Sequence, residues 1–523
     1  MLSFSNTYIE LGEQFFQRIL PQKVAAPKLL LWNSELANSL FITEEQQKNS
    51  ELLSQHFSGN ELPDGANSIA LAYSGHQFGH FNPSLGDGRA HLLGEVIDEE
   101  GIRRDVQLKG SGKTAFSRRG DGKCALAPAL REYIMSEALY ALGVPTSRCL
   151  AVVSTGEVIN RGVAKAGAVV TRVAASHIRV GSFQYFAARG DIDALKSLLD
   201  YSIERHFPEI NVLESDQCEV EKKLPFETRV LLFLEYTLDK QITLIVEWLR
   251  IGFIHGVMNT DNTAICGETI DFGPCAMMGT YDEKAVFSSI DEYGRYAFGN
   301  QGNIGQWNMA RLADCLLPLL IEFTDENGSD TTSSEKAKEQ RALEKVESVI
   351  HQYTSKFDEA YYVMYAKKLG MNEVNTTLIN DLLAIMQAQS LDYTQTFLLL
   401  TKSLANSIKE EELIRKLGDW YKAWVATLKQ YKITKQAAEE LMIKNNPVVI
   451  PRNHHVEALL ARCEQAITDK SNQDAAKKQV VIADIVDEFL HVLRSPYQEI
   501  DATKNYQDKP EDNDQYYQTF CGT

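Results

Sequence analysis

The sequence predicts an α+β chain of two lobes, residues 1–175 and 176–330, extended by a helical region over 331–523. Three observations carry this prediction. Short β-like runs with glycine turns dominate the front, helical periodicity takes over from about residue 180, and the most polar motifs fall at the join. A cleft between two such bodies is a preferred place for a ligand.

The elements follow in order. "HLLGEVI" (91–97) and "RRDVQLKG" (103–110) flank the acidic turn "DEEGI", the pattern of a β-hairpin. A helix is expected over 128–142. Pro128 stands near its start, Gly143 follows its end, and Leu130, Ile134, Ala138 and Leu142 recur every fourth residue. "GEVINRG" (156–162) and "AVVTRVA" (168–174) read as further strands. Helices fill most of 180–325 around a loop-like block at 255–282, and "SDTTSSEKAKEQ" (329–340) is a polar loop entering a helix. The chain then stays helical to about residue 494 and ends in a polar, tyrosine-bearing tail.

Composition narrows the function. With 44% apolar and 24% charged residues among 523, the chain is of ordinary globular type. A net charge of −18 argues against nucleic acid as a partner. "MLSFSNTYIELGEQFF" lacks the pattern of a signal or transit peptide, and no apolar run approaches the roughly 18 residues of a membrane span. Eight cysteines without close pairing suit a reducing compartment and not a zinc site, so a cytoplasmic protein with no membrane partner is expected. Against this acidic background Lys109, Lys113, Arg118, Arg119 and Lys123 cluster, and Arg161, Lys165, Arg172 and Arg179 follow. Such a cluster is either a solvated basic loop or a pocket for a small polyanion such as ATP.

"VQLKGSGKT" (106–114) ends like a P-loop, but Gln107 stands where the first glycine of that loop belongs. A different constellation is present. "LGDGRAHLLGEV" sets Gly86, Gly88 and Gly94 between β-like flanks, with Arg89 adding charge. Lys109 ends the next strand, where kinases place the lysine that meets phosphate oxygens. Glu132 or Glu137 on the following helix can hold that lysine, and their spacing lets only one do so; Glu132 is preferred. "HGVMNTDN" (255–262) matches the first and last letters of the kinase catalytic loop at His255 and Asn262, with Val257 where the kinase base would stand. Asp271-Phe272-Gly273 follows nine residues after Asn262, as in the magnesium-binding Asp-Phe-Gly of kinases. The ordered set predicts a protein-kinase-like arrangement of the two lobes.

Through these residues the sequence resembles the selenoprotein O family, whose bacterial members are protein adenylyltransferases with a kinase-like fold. The likeness runs through "YSGHQFGHFNPSLGDGRAHLLGEV", "QLKGSGKTAFSRRGDGKCALAPALREYIMSEAL", "HGVMNTDN", "IDFGP" and "GNQGNIGQWNMARL", and more loosely through "PRNHHVEALL". It implies transfer of AMP from ATP to Ser, Thr or Tyr hydroxyls of target proteins, with UTP as a further donor and the nucleotide reversed relative to kinases. It further implies Asp261 as proton acceptor, Asn262 and Asp271 as ligands of Mg²⁺ (or Mn²⁺), and Gly86, Gly88, Arg89, Lys109, Asp121, Gly122, Arg172, Arg179 and Asp271 as nucleotide contacts. Cys521, third from the end, matches the position of a redox-active residue in some relatives; the plain alternative is a free thiol in the tail. Two other functions stay open from the residues alone: a phosphotransferase with Asp261 as base, and a nucleotide-binding pseudokinase scaffold.

Overall fold

The computed structural model describes residues 1–211, 224–323, 334–468, 475–512 and 514–520. Strands β1 (Phe16–Arg18), β2 (Lys28–Trp32) and β3 (Ile69–Leu71) precede a small separate hairpin of β4 (Gly75–Gln77) and β5 (His80–Asn82). Then come β6 (Ala90–Ile97), β7 (Arg103–Lys109), β8 (Cys124–Ala125), β9 (Arg148–Asn160) and β10 (Ala164–Ala174). All but β4 and β5 join one antiparallel sheet in the order β1-β3-β6-β7-β10-β9-β2, with β8 pairing to β10. The expected hairpin is β6 and β7, with a break in register between Leu92 and Gly94. Gly94 therefore serves this bulge and not the glycine turn ahead of it. Its φ is 148°, and a Cβ there would lie 2.1 Å from Asn6.

Strand alternation decides which way the charged residues point. Val106 and Leu108 of β7, with Val169 and Val173 of β10, pack into a core with Leu36, Leu53 and Phe57. Those last three belong to α1 (Ser34–Ser39) and α3 (Ser50–Ser58), which with α2 (Glu44–Gln47) lie between β2 and β3. Asp105, Gln107 and Lys109 necessarily face the other side, as does Arg172, which pairs in register with Gln107. On that side lies α4 (Leu126–Ala141), the expected helix, beginning two residues before the expected start. It is buried on nearly all sides, so its two glutamates, Glu132 and Glu137, are buried with it.

The remainder is helical: α5 (Val180–Ala187), α6 (Ile192–His206), α7 (Phe226–Ile251), α8 (Gln301–Phe323), α9 (Glu335–Lys368), α10 (Thr376–Ala388), α11 (Tyr393–Ser403), α12 (Ser407–Leu417), α13 (Asp419–Gln430), α14 (Lys435–Asn445), α15 (Asn453–Thr468) and α16 (Ala475–Leu493). One apolar core runs from α4 through α7 and α8 into these later helices. The chain is thus a mixed α+β fold with a helical C-terminal region. Among the described residues no helix is long and apolar enough to cross a membrane.

Two features position the site. Gly252, with φ 78°, ends α7 and turns the chain into β11 (Phe253–Ile254), which pairs with β12 (Ala276–Met277) and so closes the loop between them into a compact unit. The tail lies against that unit: Thr519 donates from its N–H to Phe287 O (2.8 Å) and from Oγ1 to Pro274 O (2.6 Å). Cys521 lies outside the described residues.

Candidate active site

The strand lysine meets the helix carboxylate. Lys109 Nζ lies 2.7 Å from Glu132 Oε2 and 3.3 Å from Asp271 Oδ1. Glu132 also accepts a hydrogen bond from Arg172 Nε. Burial alone would raise the Glu132 pKa, but the Arg172 guanidinium and the Lys109 ammonium outweigh it and hold the group at about 2. Asp271 is likewise held well below the usual carboxylate range: burial is overcome by Lys109 and then by Arg172. Glu137 instead takes Arg148, at 3.0 and 2.6 Å. Arg172 reaches Gln107 with Nη1 (3.4 Å), while its Nη2 is buried without a partner.

The glycine turn is held from outside. At Gly86, φ 72°, a Cβ would lie 2.2 Å from the Phe116 ring, and at Gly88 it would lie 2.8 Å from Phe116 O. Thr114 Oγ1 donates to Asp87 O (2.7 Å), and Ser117 Oγ donates to Gly88 O. The segment that mimics a P-loop thus clamps the real glycine turn. Buried Asp87 fixes the turn from within, accepting from Leu71 N (3.2 Å), Gln107 Nε2 (3.0 Å) and Arg179 Nη1 (3.3 Å). Arg179 stacks 4.2 Å over the Tyr73 ring and keeps a buried Nε without a partner.

The 255–262 loop is pinned by neighbours distant in sequence. His255 donates from Nε2 to Ile270 O (2.9 Å) and accepts the Val257 N–H at Nδ1 (3.3 Å), tying the loop to the Asp271 turn. Asn308 Nδ2 donates to Met258 O and Thr263 Oγ1, both at 3.0 Å. From the other side His76 N donates to Thr260 Oγ1 (2.7 Å), and Phe78 N donates to Asn259 Oδ1 (3.1 Å). Val257 is buried and carries no group able to take a proton. Asp261 does: Oδ2 accepts from Gln77 Nε2 (3.1 Å), and Oδ1 is buried without a partner. Burial raises its pKa to about 6, against the opposing pull of Arg179 and of the Gln77 amide. Asn262 Nδ2 donates to Val257 O (3.0 Å), which commits the amide nitrogen and leaves the carbonyl oxygen for a cation.

A cleft of about 610 Å³ opens between the glycine turn and Asp261. Gly86, Gly88, Arg89, Asp121, Gly122 and Asp261 line it together, whereas Lys109, Arg172, Arg179, Asn262 and Asp271 do not. Asp121 is fully engaged: Arg161 grips both carboxylate oxygens at 2.8 Å, holding the group at about 2. Gly122, φ 72°, closes its turn against Gly112, where a Cβ would be 2.2 Å from carbonyl carbon. Among the described residues no group of three or more His, Cys, Asp or Glu is placed to hold a metal. Gln77, Asp87, Phe116 and Asn308 were not singled out from the sequence. Asp87, an acid between two glycines, was the one visible signal.

A buried lysine–glutamate pair joined to an Asp-Phe-Gly turn, beside a cation-rich cleft lined by a carboxylate and a glycine turn, is the arrangement of a nucleotide-using transferase. A family model described as "Protein adenylyltransferase SelO" matches residues 1–482. Relatives described as "Protein nucleotidyltransferase YdiU" span the whole chain. That of Teredinibacter turnerae is 47% identical over 525 residues, covering 100% of both chains. That of Pseudoalteromonas translucida is 45% identical over 520, covering 99% of each. That of Bacillus cereus is 45% identical over 527, covering 100% of this chain and 98% of its own. The chain belongs to the SelO family of protein adenylyltransferases.

Proposed function

We propose that the chain transfers AMP from ATP to Ser, Thr or Tyr hydroxyls of other proteins and releases pyrophosphate, with UTP as a further donor. The sheet with α4 forms one lobe and the helices from α5 to α8 the other, in a kinase-like arrangement. The observation that carries the reading is Asp261. It lines the cleft, has a pKa of about 6, and sits four residues beyond the position where a kinase would carry its base, which here is the inert Val257.

Asn262 and Asp271 suit Mg²⁺ or Mn²⁺. Two oxygen donors and no closed cage match an ion that completes its shell with water and substrate phosphates. When bound, such an ion neutralises phosphate charge. The chain's own residues do the rest. The orphaned N–H groups of Arg172 and Arg179 are donors awaiting anionic oxygens, which favours the terminal phosphate lying inward among them. Arg89 and the glycine turn border the cleft where the inner phosphate would lie. Asp261 takes the proton from the acceptor hydroxyl, whose oxygen bonds to the α-phosphorus as the bond to pyrophosphate breaks. Lys109, Arg172 and Arg179 stabilise the departing charge. An arginine in that role contributes roughly 10³ to 10⁵ in rate to phosphoryl transfer.

Incubation with ATP labelled at either the α or the γ phosphorus tests this directly. Label entering protein from α alone is the expected result. Label from γ alone makes the chain a kinase, and label from neither makes it a scaffold.

A further inference from the structure

The β4–β5 hairpin, the "GHQFGHFN" of the sequence, stands apart from the main sheet and is hydrogen-bonded to the 255–262 loop. We propose that this hairpin sets the position of the base and that Gln77 is its working residue. The inference rests on Asp261 acting as proton acceptor.

Three observations carry it. Gln77 Nε2 donates to Asp261 Oδ2 at 3.1 Å, and both residues line the cleft. Asp261 Oδ1 is buried without a partner, so Gln77 holds the carboxylate through Oδ2. Gly75 gives the carboxylate its seat: a Cβ there would stand 3.0 Å from both Cβ and Oδ1 of Asp261. The hairpin itself cannot drift. His76 N is bonded to Thr260 Oγ1, Thr260 Oγ1 donates to Gln184 Oε1 (2.6 Å), and Gln184 Nε2 is 2.8 Å from His76 Nδ1, closing a ring that includes α5. A carboxylate with one oxygen buried and the other hydrogen-bonded has lost its rotational freedom about the side chain. Such pre-organisation of a base matters more for the chemical step than for binding. In the step itself the hydroxyl proton moves to Oδ2. The oxygen it leaves bonds to the α-phosphorus, and the electron pair of the breaking P–O bond departs with pyrophosphate.

Gln77 is thus a positioning residue, and its signature is a fall in kcat without a matching change in binding. The test compares Gln77→Leu, Gln77→Glu and Gly75→Ala with the wild type on a synthetic hydroxyl-bearing peptide. The dissociation constant of α,β-methylene ATP is measured in parallel, and Asp261→Ala serves as reference. The expected result is a loss of at least about tenfold in kcat for Gln77→Leu, with peptide KM and analogue affinity within about twofold. Gln77→Glu should be worse than Gln77→Leu, because it sets a second carboxylate against the base. Gly75→Ala should show the same kcat-only loss. Wild-type kcat in Gln77→Leu overturns the proposal, as does higher activity in Gln77→Glu than in Gln77→Leu, or loss of analogue binding in step with kcat. If Asp261→Ala itself keeps full activity, the reading of the base fails and the proposal falls with it. If Asp261→Ala is inactive while Gln77→Leu is not, only the positioning role is lost.

Discussion

Lys109 and Arg172, on neighbouring strands, share the single carboxylate of Glu132. All three side chains are buried. Asp271, 3.3 Å from Lys109, supplies a second carboxylate, so two buried cations are held by two anions, and removing either partner leaves an uncompensated charge.

Removing the central carboxylate should therefore cost both folding and chemistry. Glu132→Ala is expected to lose roughly 3–5 kcal/mol of stability, the usual cost of stranding a buried charge, and to abolish AMP transfer. Glu137→Ala breaks a comparable pair with Arg148 and should lower stability while leaving transfer largely intact. Thermal melts beside an α-label assay separate the two. Equal losses of transfer would contradict the assignment of Glu132.

Asp261 must be ionised to accept a proton, and its pKa is raised to about 6. The rate should thus climb with pH through about 6 and level off above it. Asp261→Ala should lower kcat by roughly 10²–10⁴ at pH 7.5. A kcat/KM profile flat from about pH 5 to about pH 8 would refute the assignment.

The metal reading is checked by two ligands and one chelator. EDTA should stop AMP transfer, and added Mg²⁺ or Mn²⁺ should restore it. Asp271→Ala should leave no detectable transfer, and Asn262→Ala should demand a higher metal concentration for half-maximal rate. Full activity of Asp271→Ala would remove the metal site from the mechanism.

Glu268, beside the Asp271 turn, tests the electrostatics independently of catalysis. It accepts from Ala175 N (2.8 Å) and lies 3.4 Å from Arg104. Burial lifts its pKa to about 7, against its unfolded value near 4.5. A raised carboxyl pKa stabilises the fold below the unfolded value, and that contribution fades as pH rises through the folded one. Relative to wild type, Glu268→Gln should therefore gain stability between about pH 5 and about pH 8, read as the difference in Tm between the two proteins. A constant difference would show that the group is not titrating there.

What could be read from the sequence was local. β-like runs around an acidic turn marked β6 and β7, period-four repetition marked α4, and helical geometry showed that only one of Glu132 and Glu137 could meet Lys109. The contacts that finish the site are long-range. Gln77 meets Asp261 across 184 positions, and Arg172 meets Glu132 across 40. No periodicity encodes such distances. Phe116 escaped notice for a related reason: Gly86 and Gly88 look like room for phosphate, whereas part of that room is occupied by the protein's own ring. The orphaned N–H groups of Arg172 and Arg179 emerge only once every neighbour is in place.

Asp271 holds its backbone at φ 64°, a left-handed turn that side chains larger than Asn or Asp adopt only at a cost of about 1–3 kcal/mol. In the proposed mechanism the same position also offers an oxygen to a cation. Two unrelated demands, one on shape and one on charge, thus converge on a very small set of amino acids. Asn or Gly could take over the turn without the charge, whereas most other replacements would strain the backbone as well as remove the carboxylate.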